Sequence, residues 1–328
     1  MKVRKNILAL LIVIGLLLAG CTPGGAPAAD TPAVVNVGGL KGPTGMALVG
    51  MADAARRGEA RHGYRVTFDA APDIIQGKIL SGELDIAVLP TNLAALLHSR
   101  TEGEITMIAL SRLSVLHIMQ QPGVDIRSFA DLRGKTLYTA GQGSTQEFVL
   151  SFLLYQAGLD PEHDLNVVFQ PEHAHVVALM LDGRADAALL PQPFVSTLSI
   201  QNPEITRALD INAEWEAVTG GIELAMSCVV VRTDFLEHNR QIVLDFLEDY
   251  AQSARFAMTD IERAAELIGE FEIIPQAVAL VAIPYSNIDS VSGEEMKVAA
   301  QAYLRVLYEQ NPAAVGGRLP DESFFFIP

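Results

Sequence analysis

Leu80-Ser81-Gly82-Glu83-Leu84-Asp85-Ile86-Ala87-Val88-Leu89-Pro90 lies over Leu181-Asp182-Gly183-Arg184-Ala185-Asp186-Ala187-Ala188-Leu189-Leu190-Pro191 at an offset of 101 residues. The same shift, without a gap, brings Gly42 onto Gly143, Thr44 onto Thr145, Val66 onto Val167 and Phe68 onto Phe169. One displacement therefore aligns several separate elements, which marks an internal repeat.

Each copy reads as strand, glycine-containing loop, helix, strand, helix, strand and a proline-led helix. The first copy places strands at 34–37, 64–69 and 85–89, a loop at 38–44, and helices from 45 to about 57 and over 72–80. The second places strands at 136–139, 165–169 and 186–190, a loop at 141–144, and helices over 145–157 and 173–181. Such alternation implies parallel strands joined by crossover helices. Gly82 and Gly183 stand where a helix stops in a left-handed cap. Asp85 and Asp186 open short apolar strands of the kind buried on both faces. Pro90 and Pro191 fall just past the strand ends, where a helix start tolerates a missing N–H.

The chain begins Met1-Lys2-Val3-Arg4-Lys5 and continues as an apolar run from Ile7 to Ala19, a basic region and a hydrophobic region of signal-peptide length. That run is short for a membrane-spanning helix. It ends in Leu18-Ala19-Gly20-Cys21, which resembles the bacterial lipobox, with Cys21 as the lipidation site; the other reading is a plain secretory signal with an incidental cysteine. Residues 22–32 are small residues and prolines that cannot bury a core and read as a flexible tether. Cys228 is the one remaining cysteine, so a lipidated chain has no intrachain disulfide and depends on burial for stability.

Once Lys2, Arg4 and Lys5 leave with the signal, 20 basic residues face 39 acidic ones, a net charge near −19. Such a surface repels nucleic acid and anionic headgroups. About 300 mature residues, half of them apolar, suit two domains.

The lipobox-like ending, Gly39-Leu40-Lys41-Gly42-Pro43-Thr44-Gly45, Ser81-Gly82-Glu83-Leu84-Asp85-Ile86-Ala87, Asp131-Leu132-Arg133-Gly134-Lys135-Thr136 and Pro191-Gln192-Pro193-Phe194 together resemble the NMT1/SsuA/TauA-like ABC-transporter substrate-binding proteins. The likeness runs over essentially the whole mature chain. It implies an α/β, type II periplasmic-binding fold of two lobes, each a mostly parallel sheet flanked by helices, joined by two hinge strands near 106–117 and 225–231. It divides the chain into a signal peptide (1–20), a lipid-anchored tether (21–32), lobe one (33–112 plus 229–328) and lobe two (113–228). The C-terminal segments 234–271 and 293–308 are expected to be amphipathic helices packed on lobe one. The resemblance further implies a monomer anchored outside the cytoplasm, which captures a small solute by hinge closure and works with a permease and an ATPase, without catalysis or cofactor.

In open α/β sheets ligands sit beyond the carboxyl ends of the strands, so two facing lobes make a cleft. The loop holding Leu40, Lys41, Gly42, Pro43 and Thr44 offers backbone N–H groups and a helix start that attracts polar or anionic groups. Thr44 either touches ligand or only caps its helix, and Lys41 either adds charge or is solvated. Gln142, Gly143, Ser144 and Thr145 repeat the device; Ser144 or Thr145 is a cap alone or a cap that also meets ligand. Thr91 and Asn92 follow the third strand of the first copy, and Gln192 and Phe194 follow its counterpart in the second. Phe194 packs in the core or covers a ligand face. Met226, and at lower rank Ser227, Tyr285 and Asn287, stand near the return crossing. Neutral amides, hydroxyls and a ring suit a polar or heteroaromatic solute.

His173-x-His175 lacks the spacing to complete a metal set and reads as surface, so no metal is expected. Two rivals remain. One is an enzyme of this fold, related to pyrimidine synthesis for thiamine, whose cysteine-rich iron motif is missing here. The other is a sensory or adhesive lipoprotein that binds solute but feeds no permease.

Overall fold

The computed structural model describes residues 34–112 and 116–328. The expected signal peptide, Cys21 and expected tether, and the centre of the expected first crossing, 113–115, lie outside the described residues.

In chain order the first elements are β1 (Val34–Leu40), α1 (Pro43–Met46), α2 (Val49–Arg56), β2 (Gly63–Asp69), α3 (Pro72–Leu80), β3 (Ile86–Pro90), α4 (Thr91–Arg100) and β4 (Ile105–Arg112). Then come β5 (Leu116–Gln120), β6 (Thr136–Ala140), α5 (Thr145–Gln156), β7 (Asn166–Gln170), α6 (His173–Leu181), β8 (Ala187–Pro191), α7 (Phe194–Gln201), β9 (Thr206–Asp210) and α8 (Ile211–Thr219). The last are β10 (Ser227–Arg232), α9 (Thr233–His238), α10 (Arg240–Thr259), α11 (Ile261–Glu270), α12 (Gln276–Ala282), β11 (Asp289–Val291) and α13 (Gly293–Gln310).

Sheet one has the order β11-β4-β10-β3-β1-β2 and sheet two β7-β6-β8-β5-β9. The repeated strands pair in parallel, β1 with β2 and β3, and β6 with β7 and β8. The remaining pairs are antiparallel: β3 with β10, β10 with β4, β4 with β11, β8 with β5, and β5 with β9. Each sheet is therefore mixed, where a mostly parallel one was expected. The repeat sees only strands joined by crossover helices; strands that link the two sheets enter against that direction.

Local chemistry explains most boundaries. Ile86 to Leu89 and Ala187 to Leu190 are fully buried, as strands covered on both faces must be. Gly82 and Gly183 adopt φ of 77° and 65° just past the ends of α3 and α6, a conformation that costs other residues. Pro90 ends β3 and caps α4, one position before the helix start expected for it, whereas Pro191 ends β8 three residues before α7 and Pro193 takes the cap there. The helix expected over 45–57 is broken into α1 and α2 at Ala47 and Leu48, where Leu48 N donates to Gly45 O three residues back and tightens the turn. The C-terminal stretch expected over 234–271 divides at Asn239 and Asp260 into α9, α10 and α11; the Asp260 side chain accepts from Arg263 N and so starts a new helix.

Apolar packing falls into three clusters. One lies on the outer face of sheet one, where α10 buries Val243, Phe246, Leu247, Tyr250, Ala254 and Ala257 at helical spacing. A second is confined to the second lobe, around Met119, Val176, Met180, Leu190 and Leu198. The third spans both lobes. There Trp215 of α8 meets Phe152 of α5 at 5.0 Å and Tyr303 of α13 at 5.5 Å between ring centroids. The helix α13 is thus shared rather than carried by lobe one alone. Its buried positions Met296, Ala300, Tyr303, Leu304 and Leu307 repeat every three or four residues and present one apolar stripe. Among the described residues no helix is long and apolar enough to cross a membrane.

Candidate functional site

The carboxyl ends of the parallel strands in the two sheets carry the polar residues singled out above. In the second lobe, α5 begins at Ser144, whose hydroxyl accepts from Gln146 N and donates to Gly141 O. Glu147 reaches back and accepts from Gly143 N. This pair closes the helix start on itself. The positive end of α5 therefore already faces a carboxylate, which weakens the attraction for an outside anion. Ser144 serves as the cap, and Gln142 is exposed on the rim of a different cavity.

Behind that cap lies a cluster the repeat could not disclose. Gln146 is buried; its Nε2 donates to Thr139 Oγ1 at 2.7 Å and to Leu189 O at 3.4 Å, so its Oε1 is aimed the other way. His173 Nε2 sits 3.1 Å from that oxygen. The imidazole also stacks on Phe194, with centroids 5.1 Å apart and planes at 24°. Burial pushes the imidazole down to about 4, so near neutral pH it is uncharged and donates from Nε2 to Gln146. His173 is thus half-buried rather than a solvated surface residue, whereas His175 is exposed.

Gln192 completes this edge. It is fully buried, and its Oε1 accepts from Ser196 N and Ser196 Oγ, at 3.1 and 2.8 Å. Its Nε2 has no hydrogen-bond partner among the described residues. A buried amide donor left open costs free energy, roughly 1–3 kcal/mol, unless something accepts from it.

The first lobe presents backbone where the second presents side chains. Gly45 is the counterpart of Gln146, and a Cβ there would lie 2.5 Å from Leu40 O. Lys41 is exposed, and its N–H donates to Asp69 O. Gly42 and Thr44 are buried, and the Thr44 hydroxyl donates to Leu40 O across a long 3.4 Å. Pro43 begins α1, a single turn, so the helix start at this loop is weaker than expected.

Thr91, the counterpart of Gln192, is likewise fully buried, and apart from the weak thiol of Cys228 its hydroxyl meets no partner among the described residues. Burial pushes that thiol up to about 12, which makes it an unreactive packing group. Met226 is half-buried against the shared core, and its carbonyl accepts from Thr91 N. The Ser227 hydroxyl donates to Ser111 O, and Tyr250 donates to Ser111 Oγ at 3.0 Å.

Two hydrogen bonds join the lobes around this region: Asn92 Nδ2 donates to Gly143 O at 3.3 Å, and Thr145 Oγ1 donates to Asn92 Oδ1 at 2.7 Å. Asn92 Nδ2 also donates to Ala314 O of its own lobe, at 3.4 Å. On the opposite flank the Arg207 guanidinium lies 4.9 Å above the exposed ring of Tyr285. There α12 also runs against α7. Asn92, Gly143 and Thr145 are thus brought together, but they are engaged with one another. Asn287 takes a positive φ of 43° in the turn beyond Tyr285.

Gln146, His173 and Arg207 are the residues that sequence reasoning missed. The repeat held a clue to the first, a long polar residue where the other copy has Gly45. Among the described residues no group of three or more His, Cys, Asp or Glu side chains is arranged to hold a metal ion.

Residues 59–264 match the family model described as ABC transporter, phosphonate, periplasmic substrate-binding protein. No curated protein matches the chain by sequence. Among solved structures, an ABC transporter protein from Parabacteroides distasonis is 24% identical, with a TM-score of 0.75 over 91% of this chain and 99% of that one. The periplasmic aliphatic sulphonate binding protein SsuA from Escherichia coli is 17% identical, with a TM-score of 0.71 over 90% and 93%. The periplasmic nitrate-binding protein NrtA from Synechocystis PCC 6803 is 14% identical, with a TM-score of 0.63 over 86% and 83%. These likenesses show the two-lobed periplasmic-binding fold.

Proposed function

The chain belongs to the ABC-transporter phosphonate periplasmic substrate-binding family, and from that premise we propose that it captures a small polar or heteroaromatic solute between its lobes and hands it to a permease. One observation carries the choice of site. Thr91 and Gln192 occupy the same place in the two copies, each at the carboxyl end of the third repeated strand, and each buries a polar atom whose hydrogen bonding is incomplete. A solute offering an acceptor toward Gln192 and a polar edge toward Thr91 completes both.

The character of the solute follows from what surrounds those atoms. Gln146 and His173 are neutral, Phe194 offers a ring, and Glu147 answers the start of α5. A doubly charged anion gains little there, whereas a flat molecule with amide-like edges finds stacking and hydrogen bonds. Gln192 and Phe194 act as direct contacts, with Thr44, Leu40, Gly42 and Met226 lining the facing side. Lys41 contributes at the mouth. We assign 33–112 with 229–328 to one lobe and 113–228 to the other, a division supported by which strands enter each sheet. Residues 1–20 act as a signal peptide and Cys21 carries the lipid, with 22–32 as tether, which holds the protein on the outer side of the membrane.

Solute contacts to both lobes exist only when the lobes meet, so the solute shifts the equilibrium toward closure by its difference in affinity for the two states. The protein does no chemistry. A thermal-shift screen of phosphonates, sulfonates, pyrimidines, vitamins and amino acids tests the reading. A solute at a hundred times its Kd adds about 2.7 kcal/mol of stability, and small-angle scattering with that solute shows compaction. Gln192→Ala weakens it by about tenfold or more. Stabilising solutes that leave the scattering profile unchanged would overturn hinge closure. Labelled palmitate that fails to attach, or attaches equally to Cys21→Ala, would overturn the anchor.

A further inference from the structure

A cavity of about 610 Å³ lies on the outer side of the second lobe, between α5 and the edge strand β7, with Gln310 and Asn311 at one end. It is separate from the pair Thr91 and Gln192. Its walls include Ser151 on α5 and Leu165, Val167 and Phe169 along β7, with Glu162 on its rim.

The internal repeat says what such a surface does in the other lobe. Shifted by 101 residues, Ser151 becomes Gly50, Leu165 becomes Tyr64, Phe169 becomes Phe68 and Glu162 becomes Arg61. In the first lobe this surface is the seat of α10 and the chain just after α11. A Cβ on Gly50 would lie 2.9 Å from Phe256, and Met51 N donates to Ser253 Oγ at 3.0 Å. The Tyr64 ring meets Phe246 at 6.0 Å, and Phe68 meets Phe271 at 5.8 Å. Arg61 pairs with Asp245, Glu248 and Asp249 of the seated helix.

We propose that the cavity between α5 and β7 is a second helix seat, which receives an amphipathic helix of a partner protein carrying an aromatic knob and basic residues. The apolar strand face supplies the floor that the first lobe uses for Phe246 and Phe271. The charge is reversed: where Arg61 selects an acidic helix, Glu162 selects a basic one. A second copy of this chain is a poor occupant, because its own α10 is acidic and the chain carries a formal charge of −16. Serine in place of Gly50 holds the incoming helix slightly farther out, which suits a reversible contact.

The test uses the full chain and two labelled peptides spanning residues 240–259. One has the native sequence; the other carries Asp245→Arg, Glu248→Arg and Asp249→Arg. Fluorescence anisotropy is expected to show saturable binding of the charge-reversed peptide, about tenfold tighter than the native one. Ser151→Arg in the protein removes that binding while thermal unfolding stays unchanged, and Glu162→Arg shifts preference toward the native peptide. Absence of saturable binding, equal affinity for both peptides, or indifference to Ser151→Arg overturns the proposal. So does a dimer in sedimentation that Ser151→Arg dissolves, because the seat then serves self-association.

Discussion

The two lobes are built on the same strand-helix unit, yet each has finished it differently at both ends. On the outer side, the first lobe buries its repeat under α10, with Phe246 and Tyr250 fully enclosed, while the second leaves the matching surface as a cavity. At the cleft edge the contrast runs the other way. The first lobe is pared to glycine and backbone around Gly38, Gly39 and Gly45, where an added Cβ would lie 2.4 to 2.6 Å from a neighbour. The second has Thr139, Ala140 and Gln146 in those places, and the ring pair His173 and Phe194 where the first has Pro72 and Leu93. A repeated backbone therefore supplies the scaffold, and the copies differ in the side chains that finish it.

Matched substitutions break this comparison most strongly on the outer side. Gly50→Arg drives a side chain into Phe256 and Ser253 and is expected to cost upward of about 4 kcal/mol, or the fold itself. Its counterpart Ser151→Arg is expected to stay within about 0.5 kcal/mol in chemical denaturation. Equal losses at the two sites would show that the outer faces are not different after all.

At the cleft edge the comparison is sharpened by pH. The folded imidazole of His173 lies below its ordinary value because of burial, at about 4 against 6.5. Between those values the unfolded chain binds more protons than the folded one, so stability falls as the medium is acidified from about 6.5 to about 4 and levels off below. The contribution is present in full above about 6.5 and amounts to a few kcal/mol at most. His173→Phe removes that slope, whereas a change at its first-lobe counterpart Pro72 leaves it in place; unfolding curves across the range decide.

Smaller still is the effect of Asn92→Ala, which deprives Thr145, Gly143 O and Ala314 O of their shared partner. The expected loss is about 1–2 kcal/mol with a more open scattering profile. Lys41→Ala, on an exposed side chain, is expected to change stability by less than about 0.5 kcal/mol and solute affinity only slightly.

Much of the scaffold was legible before any coordinates. The bounds of α3 and α6 agree with the reading at both ends, because Pro72 and the glycines 82 and 183 act through their own backbone. The break between α1 and α2 was not legible, since Met46, Ala47, Leu48 and Val49 are all compatible with a helix and all buried in one core assembled from distant strands. The antiparallel pairs were missed for the same reason: a strand's direction relative to its neighbour depends on which sheet it came from. Among the candidate residues, the repeat singled out Thr91 and Gln192, but nothing local distinguished an open amide from one already engaged, as in Asn92.

By itself the sequence determined the alternation of strands and helices in each copy, most of their bounds and the pairing of the two copies, because these rest on steric preferences and apolar periodicity within about ten residues. Tertiary structure alone decided that Phe152, Trp215 and Tyr303 meet across the lobes, that His173 is neutral, and that one copy's outer face is covered while the other's is open. Those outcomes depend on burial and on partners tens to hundreds of residues away, and no local pattern encodes either.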